Sequence, residues 1–275
     1  MAKPLTEIAL AFLSELPFES FEEFDEGLRA YLPRDNKTEN VESELANIAA
    51  QLSFSYERRL IPAQNWNELW EANFSPIRVG DLCGVRAHFH PRMDGVQYEI
   101  VINPRMAFGT GHHGTTAGCL AAIDRVAKTR RIRRALDVGT GSAVLAIAIA
   151  MRLKTPVLAS DIDPLAIRIA AGNARLNGAA PWLRTVCAAG VDRREFAVPG
   201  GFDLVVANIL AGPLVALAPA LRRRLAPAGT LILSGLLEHQ RNRVAAAYRA
   251  QALRLVRSDI REGWVTLTLA RARSA

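Results

Sequence analysis

Cysteine is scarce. Cys83, Cys119 and Cys187 are the whole supply, odd in number and far apart. That argues against a disulfide framework, and no zinc-ligand spacing is present. Long apolar runs are missing too. No stretch reaches the length of a membrane span, and the opening residues, MAKPLTEIALAFLSELPF, carry acids inside their apolar part, unlike a secretory leader. A cytoplasmic location with no membrane partner is therefore expected. Acid is short relative to base: Lys and Arg number 34 against 27 Asp and Glu, giving a net charge of +7 and a pI of about 9.8. The balance favours an acidic or nucleic-acid-associated partner. The excess is mostly arginine and mostly downstream of Arg125, in runs such as Arg130-Arg131-Ile132-Arg133-Arg134 and Arg222-Arg223-Arg224. Such runs can touch RNA, or they can be solvated helix ends where cations favour the dipole.

What is present is enough apolar residue, 50% of the chain, for a sizeable core in 275 residues, as one large domain or a large one plus a small one. The chain is organised around ALDVGTGSAVLAIAIA, Ala135 to Ala150. An apolar run ends at Asp137, a turn follows at Val138-Gly139-Thr140-Gly141, and Ala143 to Ala150 is almost wholly apolar. This reads as a buried strand, a tight turn and a buried helix opening a βαβ unit. The glycines allow a sharp turn and close approach of a ligand, and the helix start offers unpaired N–H groups. Asp161 lies 22 residues beyond Gly139, after the apolar run Pro156 to Ser160. A nucleoside-binding α/β fold places an acid there for ribose hydroxyls, since a carboxylate accepts both hydrogen bonds of a cis-diol. The plainer reading of Asp161 is a solvated acid at a strand end.

The first 60 residues are acidic, with Glu15, Glu19, Glu22, Glu23, Asp25 and Glu26. Helices are expected at 5–16 and 37–52, two short strands around Asp25-Glu26-Gly27, and a strand at 54–60. Residues 1–62 thus form a small α+β module of the split βαβ kind without an obvious first strand. It either handles substrate or covers one face of the larger domain. Residues 63–75 read as a linker helix docked by Trp66, Leu69, Trp70 and Phe74. Residues 77–101 read as two or three strands in a hairpin-like lead-in, with His88 and His90 on one side of a strand as ordinary polar positions. The stretch 103–116, NPRMAFGTGHHGTT, is a loop that wraps a ligand or an elaborate turn, with Thr115 and Thr116 able to cap a helix at 117–127. His112 and His113, adjacent on a glycine loop, make a poor metal geometry, and no metal site is expected.

Asp163 and Pro164 are expected to open a helix running to Leu176, ended by Asn177-Gly178. Strands are expected at 182–187, 202–208, 229–235, 254–260 and 264–270, and helices at 214–225 and 238–250. Alternating strands and helices with a terminal hairpin predict an α/β fold: a mostly parallel sheet with an antiparallel last strand.

Four motifs stand in order: Phe108-Gly109-Thr110-Gly111-His112-His113 with Thr115-Thr116; Asp137-Val138-Gly139-Thr140-Gly141; Asp161-Ile162-Asp163-Pro164; and Asn208-Ile209-Leu210-Ala211-Gly212-Pro213-Leu214. With WNELWEANFSPIRVG upstream and EGWVTLTLA downstream, the chain resembles the PrmA family of ribosomal protein methyltransferases over residues 64 to 270. That family acts on the stalk-base protein, number eleven, of the large ribosomal subunit. The resemblance implies a class I (Rossmann-like) methyltransferase domain at 76–275, with a seven-stranded sheet and S-adenosylmethionine as cofactor. It implies cofactor contacts at Thr116, Gly139, Gly141, Asp161 and Asn208. Asp161 would hold the ribose, the two glycines would lie under the methionine part, and Asn208 would stand beside the methyl group and orient the incoming amine. It also implies methylation of lysine side-chain and α-amino nitrogens of a ribosomal protein; the basic surface could then contact ribosomal RNA. Two departures from the pattern are Ala143, where many methyltransferases have a third glycine and where alanine is expected already inside the helix, and Gly114, in a loop position where the family varies.

Other readings remain at this point. The acceptor can be a lysine of another protein. Asn-Ile-Leu-Ala argues against glutamine and nucleic-acid-base enzymes, which more often carry Asn-Pro-Pro-aromatic to stack on a planar substrate. A silent nucleoside-binding module on the ribosome would not need the full set of Gly139, Asp161 and Asn208. A dehydrogenase would want a glycine nearer a pyrophosphate and no Thr-rich loop upstream.

Overall fold

Period-two alternation along the central strands sends side chains to two separate cores. Ala135, Val157, Ala159, Leu204 and Val206 face one; their neighbours Leu136, Leu158, Val205 and Ala207 face the other. These residues belong to β6 (Ala135–Val138), β7 (Val157–Asp161) and β9 (Phe202–Asn208). The computed structural model describes residues 9, 12–13, 16, 18, 20–24, 27–32, 41–59, 76–103 and 113–271. The chain divides into two units, 1–64 and 65–275.

In the larger unit, β8 (Leu183–Cys187), β10 (Leu225–Leu237), β11 (Leu253–Arg261) and β12 (Trp264–Arg271) complete a seven-stranded sheet in the order β11-β12-β10-β9-β6-β7-β8. The strands from β10 to β8 pair in parallel. β12 is antiparallel to both its neighbours. The expected antiparallel last strand is therefore present, and it sits inside the sheet between β10 and β11. Helices cover both faces, as the doubly buried strands require. One core takes side chains from α2 (His113–Thr129), α3 (Val144–Leu153) and α4 (Pro164–Leu176). The other takes Leu214, Ala218 and Leu221 of α5 (Ala211–Arg224) with Val244 and Tyr248 of α6 (Arg241–Arg249). Tyr248 is buried, and its hydroxyl donates to the Leu214 carbonyl at 2.8 Å.

A three-stranded sheet leads into this domain: β3 (Ile77–Val79), β4 (Cys83–Ala87) and β5 (Tyr98–Ile102). Only β3 and β4 form the expected hairpin, since β4 and β5 run parallel. β4 ends at Ala87, so His88 and His90 lie in a turn and not on a strand. The cause is Arg86, whose Nη1 captures the His90 carbonyl at 2.8 Å while its Nη2 pairs with Glu99 at 2.9 Å. Phe89 packs between the two imidazoles, with ring centroids 5.3 and 4.6 Å away.

In the smaller unit, β1 (Ser20–Phe24) and β2 (Gly27–Tyr31) form the expected antiparallel hairpin, beside α1 (Val41–Leu52). Leu13, Leu16 and Val41 form its core. The expected strand at 54–60 is absent from its described part: residues 54–59 are irregular and mostly exposed. The chain leaves α1 through Ser53 at φ +54°, and Arg58 turns back to pair with Glu42 at 2.8 Å. The linker helix at 63–75 lies outside the described residues. Among the described residues, no helix is long and apolar enough to cross a membrane.

Candidate active site

Strand register brings the site together. Val138 on β6 is level with Ser160 on β7 and with Ala207 on β9. The next residue on each strand is therefore Gly139, Asp161 or Asn208, three neighbours along the C-terminal edge of the sheet. β6 lies between the other two strands, and the chain turns outward in opposite directions on either side of it. That is the switch point where open α/β sheets hold their ligands.

The turn after β6 is held from below by a buried acid. Asp137 is 1% exposed. Its Oδ2 accepts from the Thr140 hydroxyl at 2.6 Å and from the Ala146 N–H at 3.2 Å. Burial pushes this carboxyl up to about 6, against both hydrogen bonds and with some help from the Asp161 charge. Its Oδ1 has no partner among the described residues. Gly139 has φ +69°, and a Cβ there would meet Ile209 Cγ2 at 2.2 Å. Glycine at 139 is thus required by the fold as well as available to a ligand. Gly235, at φ +85°, faces the same isoleucine from β10, where a Cβ would stand 2.4 Å from the Ile209 carbonyl oxygen. Two glycines therefore fix the segment that follows Asn208.

Asp161 ends β7 half-buried. Its Oδ2 accepts from the Gly141 N–H at 2.9 Å and its Oδ1 from the Asp163 N–H at 3.1 Å. One bond per oxygen fixes the carboxylate and leaves lone pairs for hydroxyls. Asp163 is the N-cap of α4, accepting from the Leu165 N–H at 2.7 Å, with Pro164 at the first helical position. Across the crevice, the Asn208 amide nitrogen donates to the Thr115 hydroxyl at 3.2 Å. Thr116 is buried in the same turn of α2, but of the two threonines only Thr115 reaches Asn208. Both stand inside a helix that begins at His113, so they do not cap it as expected. Gly114 lies in that first turn, where a Cβ would stand 2.8 Å from the Arg261 carbonyl oxygen. Ala143 is not inside α3; it is the N-cap residue, left-handed at φ +66°. The loop motif at 104–112 lies outside the described residues.

Three features went unread in the sequence. Ile162, 71% exposed, stands directly beyond Asp161, and Leu210, 70% exposed, stands two residues beyond Asn208. Large apolar side chains so open at the rim of a polar crevice offer surfaces for flat or aliphatic parts of ligands. The third is an amide clamp on α4. Asn173, 2% exposed, donates to the Ser142 carbonyl at 2.9 Å and accepts from the Asn103 N–H at the same distance. One turn on, Asn177 makes both backbone bonds of Val101, at 2.7 and 2.8 Å. The clamp ties the start of the 103–116 stretch to the glycine turn. Its signal was two asparagines four residues apart on a mostly apolar helix face. Among the described residues, no three His, Cys, Asp or Glu side chains gather as metal ligands.

The residues fit a nucleoside carrying a cation. The unpartnered Oδ1 of Asp137 and the Asp161 carboxylate give the crevice negative character, and the open Ile162 gives it an apolar wall.

The comparisons with known proteins agree. The profile of the family described as "Ribosomal protein L11 methyltransferase (PrmA)" matches residues 12–272. The protein of Rhizobium meliloti named ribosomal protein L11 methyltransferase is 46% identical over 244 residues, 88% of this chain and 83% of the relative. A namesake from Mesorhizobium japonicum is 44% identical over 237 residues, 86% and 82% of the two chains. The crystal structure of a ribosomal protein L11 methylase from Lactobacillus delbrueckii subsp. bulgaricus superposes with a TM-score of 0.64 at 30% identity, covering 72% of this chain and 99% of that one. Sheet order, crevice and relatives lead to one conclusion: this chain belongs to the ribosomal protein L11 methyltransferase (PrmA) family.

Proposed function

We propose that the chain transfers methyl groups from S-adenosylmethionine to lysine side-chain and α-amino nitrogens of the large-subunit stalk-base protein L11. The observation that carries this is the meeting of Gly139, Asp161 and Asn208 at three adjacent strand ends in a chain of this family. Asp161 would hold the ribose hydroxyls, and the exposed Ile162 would offer the base an apolar surface. The glycine turn, with the N–H groups that open α3, would receive the methionine part, with Thr116 on α2 beside it. S-adenosylmethionine supplies a methyl group made electrophilic by a sulfonium.

One N–H of the Asn208 amide donates to Thr115 and orients the group, and its oxygen is the end that can accept from an incoming amine. A neutral acceptor of this kind aligns the amine without trapping it as an ammonium in a salt bridge. Positioning therefore supplies much of the rate, and the amine loses its proton to solvent. Leu210 flanks the approach and suits the aliphatic stem of a lysine. The small module at 1–62, within the smaller unit, recognises the substrate protein, and the enzyme works in the cytoplasm.

The test is intact-mass analysis of purified L11 after incubation with the enzyme and S-adenosylmethionine. Mass added in steps of one methyl, absent with Asp161→Ala, is the expected result. Cofactor binding by calorimetry with no added mass would remove the substrate assignment. No cofactor binding would remove the enzymatic one.

A further inference from the structure

Asn208 belongs to a closed ring of contacts that runs through three strands and a helix. On the neighbouring strand, Ser234 of β10 is level with it. The Ser234 hydroxyl is buried and donates to the Val265 carbonyl at 3.0 Å. With that proton used, it accepts from the Thr266 hydroxyl at 3.1 Å. Thr266, on β12, lies against α2: a Cβ on Gly118 would meet its Oγ1 at 2.2 Å. One helical turn earlier, a Cβ on Gly114 would stand 2.8 Å from the Arg261 carbonyl oxygen, at the end of β11. Thr115 lies between the two glycines in sequence. It closes the ring by accepting from the Asn208 amide nitrogen at 3.2 Å.

The two glycines are costly where they stand, since each weakens a helix by about 1 kcal/mol relative to alanine. Four residues apart, they share one helix face, the face that meets the β11–β12 hairpin. A side chain at either position would hold α2 off the hairpin and carry Thr115 away from Asn208. The hairpin turn itself is tight, with Glu262 at φ +51° and Gly263 at φ +77°, and it sets Arg261 opposite Trp264. Gly114 and the EGWVTLTLA stretch, which take no part in holding a nucleoside, thus belong to one device. Gly139 and Gly235 already fix the backbone that follows Asn208, by closing on Ile209. What they leave open is the end-for-end turn of the Asn208 amide, a soft torsion. Thr115 is the group that settles it.

We propose that Thr115 is a positioning residue for methyl transfer, holding the Asn208 amide with its oxygen end left for the amine, at a place set by the seating of α2 on the β11–β12 hairpin. The proposal rests on the reading of Asn208 as the group that orients the incoming amine. The oxygen and nitrogen of an amide point to opposite sides, so an N–H given to Thr115 turns the oxygen away from it. That oxygen accepts one N–H of a neutral amine and leaves the lone pair on the amine nitrogen aimed at the methyl carbon. As the pair forms the carbon–nitrogen bond, the carbon–sulfur bond breaks with its electrons left on sulfur, and the surplus proton on nitrogen passes to solvent. Turned end for end, the amide would donate to that same lone pair and withhold it from the methyl carbon. Valine at 115 would fill the same space and accept nothing.

The test compares Thr115→Val with Thr115→Ser in the full chain. The first readout is solvent exchange of the Asn208 side-chain amide protons by NMR, without cofactor, assigned by their loss in Asn208→Ala. Exchange should quicken in the valine variant and return to the wild-type rate with serine. The second is kcat for methylation of purified L11, expected to fall about tenfold with valine and to recover with serine. The dissociation constant for S-adenosylmethionine in calorimetry should change by less than about threefold, so that the loss lies in the transfer step. In an Asn208→Ala background, Thr115→Val should remove no more than a further factor of about two, because Thr115 acts only through that amide. Should the valine variant fail to fold, Thr115→Ala takes its place. A wild-type kcat in the folded variant would overturn the proposal, as would a serine variant as slow as the valine one, or a full additive loss without Asn208. Failure of the wild-type chain to methylate L11 would fall on the substrate reading, while amide exchange would still report whether Thr115 holds Asn208.

Discussion

Gly139 is answerable to two constraints at once, a left-handed backbone and the methyl group of Ile209. Gly139→Ala meets both: the φ of +69° costs an L-residue about 1–2 kcal/mol, and the 2.2 Å approach forces Ile209 aside. The expected outcome is a loss of about 2 kcal/mol or more in denaturant unfolding, with weaker cofactor binding in calorimetry because the turn moves. Asp137 offers a different lever. Its carboxyl sits near 6 in the folded chain against an ordinary value of 3.8, so between those values the native state binds more protons than the unfolded one. Stability from this group is full below about pH 4 and falls as pH rises toward 6, after which the loss is constant at up to about 3 kcal/mol. Asp137→Asn keeps an oxygen for Thr140 and Ala146 and carries no charge. Its stability relative to wild type should rise from pH 4 to 6 and then level off, read by urea unfolding at several pH values. A gap that did not change with pH would mean Asp137 is not the group responsible. The glycine turn and Asp161 were legible in the sequence because their spacing is dictated by backbone geometry. The cap role of Ala143 was not, because its left-handed φ is a product of the turn, and an alanine beside a helix looks helical.

At the scale of elements, strands and helices of the larger unit were readable almost to their ends, since they carry clean periods, and Asp163-Pro164 and Asn177-Gly178 mark the two ends of α4. What failed was whatever depends on a distant partner. Residues 54–59 alternate well enough for a strand but find no neighbour to pair with among the described residues, and the turn at 88–90 is bent by Arg86 from within β4. The α4 clamp belongs to the same class: its asparagines look like ordinary helix polar residues until β5 and the glycine turn are placed beside them. Asn173→Ala and Asn177→Ala each leave two backbone groups unpaired, a cost of about 2–4 kcal/mol in either case. Only Asn173 touches the cofactor turn, through Ser142. We expect similar losses of stability, with a raised KM for S-adenosylmethionine in the Asn173 variant alone. Equal KM values would reduce the clamp to a purely mechanical fastening of β5.

The whole molecule is two units with separate cores, and the roles proposed for them can be separated by experiment. A chain of residues 65–275 keeps both large cores. It should bind S-adenosylmethionine as the full chain does in calorimetry, while its methylation of L11 falls by about a hundredfold in the intact-mass assay, a loss of about 2.7 kcal/mol of transition-state binding. Undiminished methylation would show that the smaller unit does not recognise substrate. The two arginine runs were visible in the sequence, but the place of Arg271 beside Arg223 and Arg224 was not, because it depends on β12 running against its neighbours.

That placement of β12 has a consequence for synthesis. It is made after every other strand described, yet it fills an interior position. Until Trp264–Arg271 emerges, β10 has an unpaired edge and β11 has no place in the sheet, and an edge of that kind is a template for pairing with other chains. The nascent sheet is therefore most exposed to aggregation before β12 has emerged. It closes only when β12 inserts between β10 and β11, so the order in which the strands are made and the order in which they lie run against one another.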